Sequence, residues 1–437
     1  MQRADAQEIF QAGLAAVDAR DVVRRTLRLK KDELGIGSER VALSPSSRIF
    51  MVGAGKASAR MAEAAEEMLG ARVAGGVISV KDGHAGHSER VSIREAGHPL
   101  PDARSLANGR AIIEAVRGLS EQDIVICLLS GGGSALMESL GDGISLQHLR
   151  VVTAALMHAG ANIVELNCVR KHLSLLKGGQ LARWAQPARV YSVILSDVVG
   201  DDLSVIASGP TCPDPTTFAE ALETLVRFGI DGLSEAAAVR AYLQAGTAGK
   251  LTETPKPSDP VFEHVSNLIA ANNREAVHSA AQRAHELGYA SDIVSTYVQG
   301  EAREVAKVFV AIARERRARE EHRLCLIAGG ETTVTVQAGG GRGGRNQELA
   351  LSAALELNGL EGITLLAAAT DGGDGSSDAA GAIVDGTTVA AGLRLGLNAR
   401  RLLDANDSHR YFAALDSQVT TGPTLTNVND ILIMLIE

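Results

Sequence analysis

Residues 121–139, EQDIVICLLSGGGSALMES, decide how the rest of this chain is read. From Asp123 to Leu129 the run is short and almost wholly apolar, with Ile124, Val125 and Ile126 in succession. That is the pattern of a strand covered on both faces in a parallel sheet. It breaks into Ser130-Gly131-Gly132-Gly133-Ser134. Glycines where a strand turns into a helix let the backbone approach a ligand with its N–H groups aimed outward, and a following helix adds the positive end of its dipole. The segment predicts a receptacle for an anion. A single turn of this kind could need glycine only for positive φ, but the chain repeats the device.

On the N-terminal side, residues 21–45 read as charged and irregular, and Arg48 to Val52 reads as a strand. It runs into Gly53-Ala54-Gly55-Lys56-Ala57-Ser58 and an alanine-rich helix that Gly70 ends as a C-cap. Phe50 stands where a Walker A loop needs glycine, and Ser58 where the dinucleotide fingerprint needs one. What remains is a phosphate turn with a lysine. His84 and His87 lie in a glycine loop without supporting cysteines or carboxylates, so they are expected to be solvated. Pro99 and Pro101 hold GHPLPD extended, and Asp102 is placed to cap the next helix.

Beyond the SGGGS turn, residues 145–182 are predicted to be helical, with Arg170, Lys171, His172 and Lys177 as an exposed basic face. Residues 189–195 form a strand ending at Asp197, and open α/β sheets place ligand and metal chemistry at such ends. The Gly, Thr and Pro content of residues 245–260 predicts a linker, giving domains at 1–244 and 261–437. In the second half, residues 324–328 lead to Gly329-Gly330-Glu331, and 333–337 alternate like a half-exposed strand. The loop Gly339-Gly340-Gly341-Arg342-Gly343-Gly344-Arg345-Asn346 then opens a helix, and guanidinium forks match anionic oxygens in pairs. Residues 363–369 deliver Asp371, Asp374 and Asp378 within eight positions, which suits Mg²⁺, a general base, or both.

A chain of 437 residues is long enough for two or three domains. Hydrophobic content of 45% with 3% aromatics fits an α/β enzyme rather than a β-sandwich. A net charge of −9 argues against nucleic acid or an anionic membrane as partner. The four cysteines lack C-x-x-C spacing, and the first helix lacks the apolar core of a signal peptide, so reduced thiols and a cytoplasmic location are expected. Glycine turns, cations and strand-end carboxylates are the parts phosphoryl transfer needs. A nicotinamide-dependent reductase would need G-x-G-x-x-G followed by an acid, which no strand supplies.

The blocks GAGKAS, GHPLPD, LLSGGGSAL, ELNCVRKHLSLLKGG, SDVVGDDLSVIASGPTCPDP, GGRNQELALSAA, ATDGGDGSSDAAGAIVDG and TGPTLTNVND resemble, in order, the glycerate 2-kinase family. Some of its members carry the label hydroxypyruvate reductase of the tartrate-utilisation type, and its C-terminal part is called the MOFRL domain. The resemblance implies two Rossmann-like three-layer α/β domains with an active-site cleft between them. It implies ATP-dependent phosphorylation of D-glycerate at the 2-hydroxyl with Mg²⁺, and a homodimer is one assembly to expect. The alternative activity is NAD(P)H-dependent hydroxypyruvate reduction; a third reading is a regulatory module that binds a sugar acid or nucleotide without turnover. Carried over by motif, the catalytic set is Lys56, Arg345 and Asp371. Gly53, Gly55, Ser130, Gly131, Gly132, Gly133, Ser134, Asp197, Glu331, Arg342 and Asn346 are expected at substrate or nucleotide, and Asp197, Asp371 and Asp374 at the metal. Arg342 and Arg345 compete for the role of anion fork.

Overall fold

The computed structural model describes residues 2–319 and 322–437. They form two compact units, one from Ala19 to Ala270 and one joining the chain up to Asp18 with Ala271–Glu437.

In the first unit, β1 (Leu27–Lys30), β2 (Glu33–Ile36) and β3 (Glu39–Ala42) make a small antiparallel sheet. The principal sheet holds β4 (Ile49–Ala54), β5 (Val73–Lys81), β6 (Ser92–Ala96), β7 (Ile124–Leu129), β8 (Arg189–Leu195) and β9 (Val265–Ala271), in the order β6-β5-β4-β7-β8-β9. From β6 to β8 every pairing is parallel. All six residues of β7 are buried, as its unbroken apolar run requires. Val125, Cys127 and Leu129 pack with Val52, Ile112, Ile113 and Leu181 into one core. The chain moves outward from β4 to β6, then restarts at β7 and moves the other way. At such a reversal the loops after the two central strands diverge and leave a crevice at their carboxyl ends. GAGKAS follows β4, and SGGGS follows β7.

The second unit contains β10 (Ala290–Val298), β11 (Leu324–Gly330), β12 (Ile363–Ala369), β13 (Gly381–Asp385), β14 (Gln418–Val419) and β15 (Asp430–Ile436), ordered β10-β11-β15-β12-β13-β14. This second sheet is mixed. Among the described strands of this sheet only β10 and β11 pair in parallel, and β15 runs antiparallel between β11 and β12. Antiparallel to both neighbours, β15 reaches the centre without a crossover helix. Its register sets Asp430 beside both Gly330 and Ala369.

The division into units departs from the sequence-based boundaries at both ends of the first domain. The helix Gln2–Ala16 belongs to the second unit, because its buried face of Ala6, Ile9 and Phe10 packs on the helix Asn273–Glu286. Tyr289 donates to Asp5 at 2.8 Å, and Thr426 donates to the Val17 carbonyl at 2.6 Å. Residues 245–260 are tied to the first unit instead of spanning a gap: Thr254 is buried and donates to Asp214 at 3.0 Å, and Asp214 N–H donates to the Pro255 carbonyl at 2.9 Å. β9 then completes the first sheet.

Three local expectations also change. Residues 21–45 hold most of the helix Ala19–Thr26 and β1 to β3. The stretch 145–182 splits into helices Leu146–His158, Ile163–Leu173 and Gln180–Ala185, with caps Ser145 and Asn162 starting the first two. Residues 333–337 make one bridge, Thr333 with Glu301, and Thr335 then bonds the Glu301 carboxylate instead of a strand. Among the described residues no helix is long and apolar enough to cross a membrane.

If the first helix is a structural part of the second unit, Phe10→Ala should cost about 3–5 kcal/mol, the usual cost of deleting a fully buried aromatic ring. Urea denaturation measures it, and a loss below about 1 kcal/mol would contradict this docking.

Candidate functional site

The two turns at the switch point are built into one another. Ser130 is fully buried; its hydroxyl accepts from the Ala57 N–H at 3.0 Å and bonds the Ser58 hydroxyl at 3.1 Å. Lys56 N–H donates to the Gly131 carbonyl at 2.9 Å, and Ser130 N–H to the Ala54 carbonyl at 3.2 Å. Gly55 lies at φ 147°, and a Cβ there would stand 2.1 Å from the Ser130 hydroxyl. Gly53 would similarly collide with Leu128, 2.0 Å from its carbonyl oxygen. These two glycines and Ser130, expected at the ligand, serve first to lock β4 against β7. The half-buried positions are Lys56, Gly132 and Ser134.

Three neighbours of these turns escaped the sequence reading. The His98 ring covers Gly132, its Nε2 2.9 Å from where a Cβ would stand. His84, expected in solvent, is half-buried with its Nδ1 3.0 Å from the Lys56 carbonyl oxygen. Ser134 bonds Ser208 at 2.9 Å, and Ser208 donates to Asn167 at 3.1 Å. Ala207 and Ser208 both sit at positive φ, 50° and 61°, a conformation that costs non-glycine residues about 1–3 kcal/mol each. The helix after SGGGS is only Gly133–Leu136, so its dipole adds little to the turn. Asp197 is half-buried just beyond β8.

The basic cluster is a correction: Lys171, His172 and Lys177 are buried, and each has an acidic partner. Lys171 pairs with Asp214 at 3.4 Å, His172 Nε2 with Glu253 at 2.9 Å, and Lys177 with Glu138. Burial is the largest influence on His172 and pulls its pKa down, but the Cys168 carbonyl and Glu253 outweigh it and raise it to about 9. Burial likewise raises Glu253, while His172 and the Phe218 and Thr254 N–H groups bring it down to about 2. A helical periodicity cannot distinguish an exposed cationic face from one folded onto carboxylates supplied by distant segments.

In the second unit, the carboxyl ends of β11 and β12 and the start of β15 share one edge. Arg345 grips Asp430 there in bidentate fashion, Nε to Oδ2 at 2.6 Å and Nη2 to Oδ1 at 2.9 Å. Its Nη1 meets Glu331 at 3.1 Å. Burial alone would lower the arginine's pKa, but Asp430 and then Glu331 hold it above its ordinary value. A cavity of about 610 Å³ opens here, lined by Glu331, Arg345, Glu348, Ser376 and Ser408 among others. Arg342 is exposed, with its N–H on Asp407 at 3.2 Å and Nη2 reaching the Ser376 carbonyl at 3.4 Å. Asp430 was not predicted to take part, although an aspartate heading a wholly apolar last strand is its sequence signal.

Asp374 and Asn346 are turned inward. Asp374 is buried and accepts from the N–H groups of Asn346 at 3.0 Å and Gln347 at 2.8 Å, capping the helix Arg345–Leu357. A Cβ on Gly344 would lie 2.4 Å from its Oδ1, so glycine is required for this approach. Burial raises the Asp374 pKa to about 6 against the pull of those N–H groups, with Asp430 adding to the rise. Both of its oxygens accept from the helix backbone, which gives this expected metal ligand a capping role. Asp371 is half-buried, its Oδ1 accepting from Gly373 N–H at 3.1 Å. No three His, Cys, Asp or Glu groups among the described residues are arranged to hold a metal ion.

Two outcomes follow. Asp374→Ala orphans two helix N–H groups and should cost about 1–3 kcal/mol in metal-free thermal unfolding, whereas Asp371→Asn should leave stability within about 0.5 kcal/mol. Equal effects would contradict the capping role. Because the folded pKa of His172 is raised, its stabilisation is complete below pH 6.5 and is lost as pH rises through about 9. The Tm should therefore decline from pH 7 to 10, with a shallower slope in His172→Gln; identical slopes would contradict the pairing.

Residues 5–244 match the family described as "Domain of unknown function (DUF4147)", and residues 324–430 match the MOFRL family. The chain is 43% identical over 396 residues to the D-glycerate 2-kinase of Thermotoga maritima, covering 89% of this chain and 91% of that one. A relative from Agrobacterium vitis, provisionally named a hydroxypyruvate reductase, is 42% identical over 98% of this chain and 93% of its own. The crystal structure of glycerate kinase from Thermotoga maritima superposes with a TM-score of 0.87 at 40% identity, covering 100% of this chain and 99% of that one. With both of its halves matched and relatives aligned over nearly its whole length, this chain belongs to the glycerate 2-kinase family with DUF4147 and MOFRL domains.

Proposed function

We propose that this protein transfers the γ-phosphoryl group of ATP to the 2-hydroxyl of D-glycerate, giving 2-phospho-D-glycerate and ADP. The observation that carries the reading is the pairing of GAGKAS with SGGGS at the strand-order reversal, in a chain 43% identical to a D-glycerate 2-kinase. In the reaction the bond from the γ-phosphorus to the β,γ-bridging oxygen breaks and a bond to the 2-oxygen forms. The hydroxyl proton passes to a carboxylate.

Lys56 and Arg345 take the charge of the transferring phosphoryl group and of the glycerate carboxylate. Arg345 keeps Asp430 as its anchor, and an incoming anion replaces Glu331 on Nη1. The SGGGS segment holds nucleotide phosphate or substrate through its backbone. Mg²⁺, when bound, neutralises charge on the phosphates and needs only one or two protein carboxylates besides them. Asp371 is either that ligand or the base for the hydroxyl, with Asp197 as the other carboxylate. All four cysteines are free and buried, in keeping with a reducing, cytoplasmic setting.

Lys56→Ala and Arg345→Ala should each lower turnover about 10²- to 10³-fold, as removal of a transition-state cation does. ADP release from ATP, Mg²⁺ and D-glycerate should be robust in the native protein, and NADH oxidation by hydroxypyruvate absent. NADH oxidation in the second assay alone would overturn the kinase reading, and near-native turnover in both variants would overturn the residue roles.

A further inference from the structure

We infer that Arg170 binds a carboxylate or phosphate group of a substrate seated against the SGGGS segment. Asn167, Arg170 and Ser174 stand three and four residues apart along the helix Ile163–Leu173 and its C-cap, and so share one face. One end of that face meets Ser208 and the other meets Glu138. Asn167 is reached through Ser208, which bonds Ser134 at 2.9 Å, and the Ser174 hydroxyl donates to Glu138 at 2.6 Å. Arg170 therefore lies between a residue linked to Ser134 through Ser208 and a residue bonded to Glu138.

Its charge is not cancelled there. The Glu138 carboxylate takes the Lys177 ammonium, the Ser174 hydroxyl and the Ser139 N–H. Lys177 is fully buried and donates also to the Met137 carbonyl at 3.1 Å. Two cations facing one anion leave a net positive charge, and Arg170 carries it: it makes no hydrogen bond or ion pair with any described residue. The side chain is only partly exposed, and burial, countered by Glu138, lowers its pKa from the ordinary arginine value. The guanidinium has no acceptor among the described residues, and its nitrogens are not among the buried atoms left without a partner, so they remain open to an incoming ligand. An anion arriving with substrate supplies the missing acceptor, and the planar fork matches the oxygens of a carboxylate or phosphate.

The identity of the substrates rests on the kinase reading; the anion-binding role does not. Arg170→Met and Arg170→Gln should raise KM about tenfold or more, for D-glycerate if the group is its carboxylate and for ATP if it is a phosphate. Arg170→Lys should fall between these and the native value. Neither neutral variant should lose Tm, since each removes an unpaired charge. Whichever neutral variant folds decides the matter: both KM values within twofold of native, or a lower Tm with unchanged KM, would overturn the proposal. Should the native protein fail to phosphorylate glycerate, the kinase reading falls instead. Calorimetric titration of native and variant protein with ATP and with D-glycerate then reads the site directly, and equal affinities would overturn it.

Discussion

The hydroxyl of Ser130 holds the first unit's candidate site together. It is buried where β7 ends, takes the Ala57 N–H, and bonds Ser58 at the start of the helix that follows β4. Two turns that are far apart in the chain therefore share one geometry. The glycines at 53 and 55 allow the strands to come close enough for that bond, and Lys56 sits half-buried at the resulting corner. The constraint is steric and local, but its consequence is chemical, since it brings backbone and a cation to the reversal of strand order.

The second unit reaches a similar end by another route. β15 enters the sheet antiparallel and delivers Asp430 between the ends of β11 and β12. Arg345 is fixed on that carboxylate by two hydrogen bonds, and Asp374 fixes the helix on which Arg345 stands. The arginine that follows the glycine-rich loop is thereby held on a fixed base. Preorganisation of this kind lets a cation meet developing charge without reorganising.

Much of this was legible in the sequence. The nearly unbroken apolar run from Asp123 to Leu129 predicts a buried central strand, and the glycines after it predict a turn. The resemblance of ordered motifs to a kinase family gave the class of activity, which spacing alone could not. What stayed hidden depended on distant partners. The Lys171, His172 and Lys177 face was read as exposed because its acceptors, Asp214, Glu253 and Glu138, lie up to 81 residues away. Asp374 resembled a metal ligand because its neighbours are acidic, while its true partners are backbone N–H groups of a helix 27 and 28 residues earlier. The first helix could not be assigned to a unit from its own amphipathic pattern, which names a buried face but not what covers it.

The central claim, that these turns direct a phosphoryl group onto one particular oxygen of a three-carbon acid, is tested most directly by phosphorus NMR of the product from ATP, Mg²⁺ and D-glycerate. A resonance matching authentic 2-phosphoglycerate, growing in step with ADP, is the result this account predicts. Formation of 3-phosphoglycerate, or ADP with free phosphate and no phosphorylated acid, would contradict it.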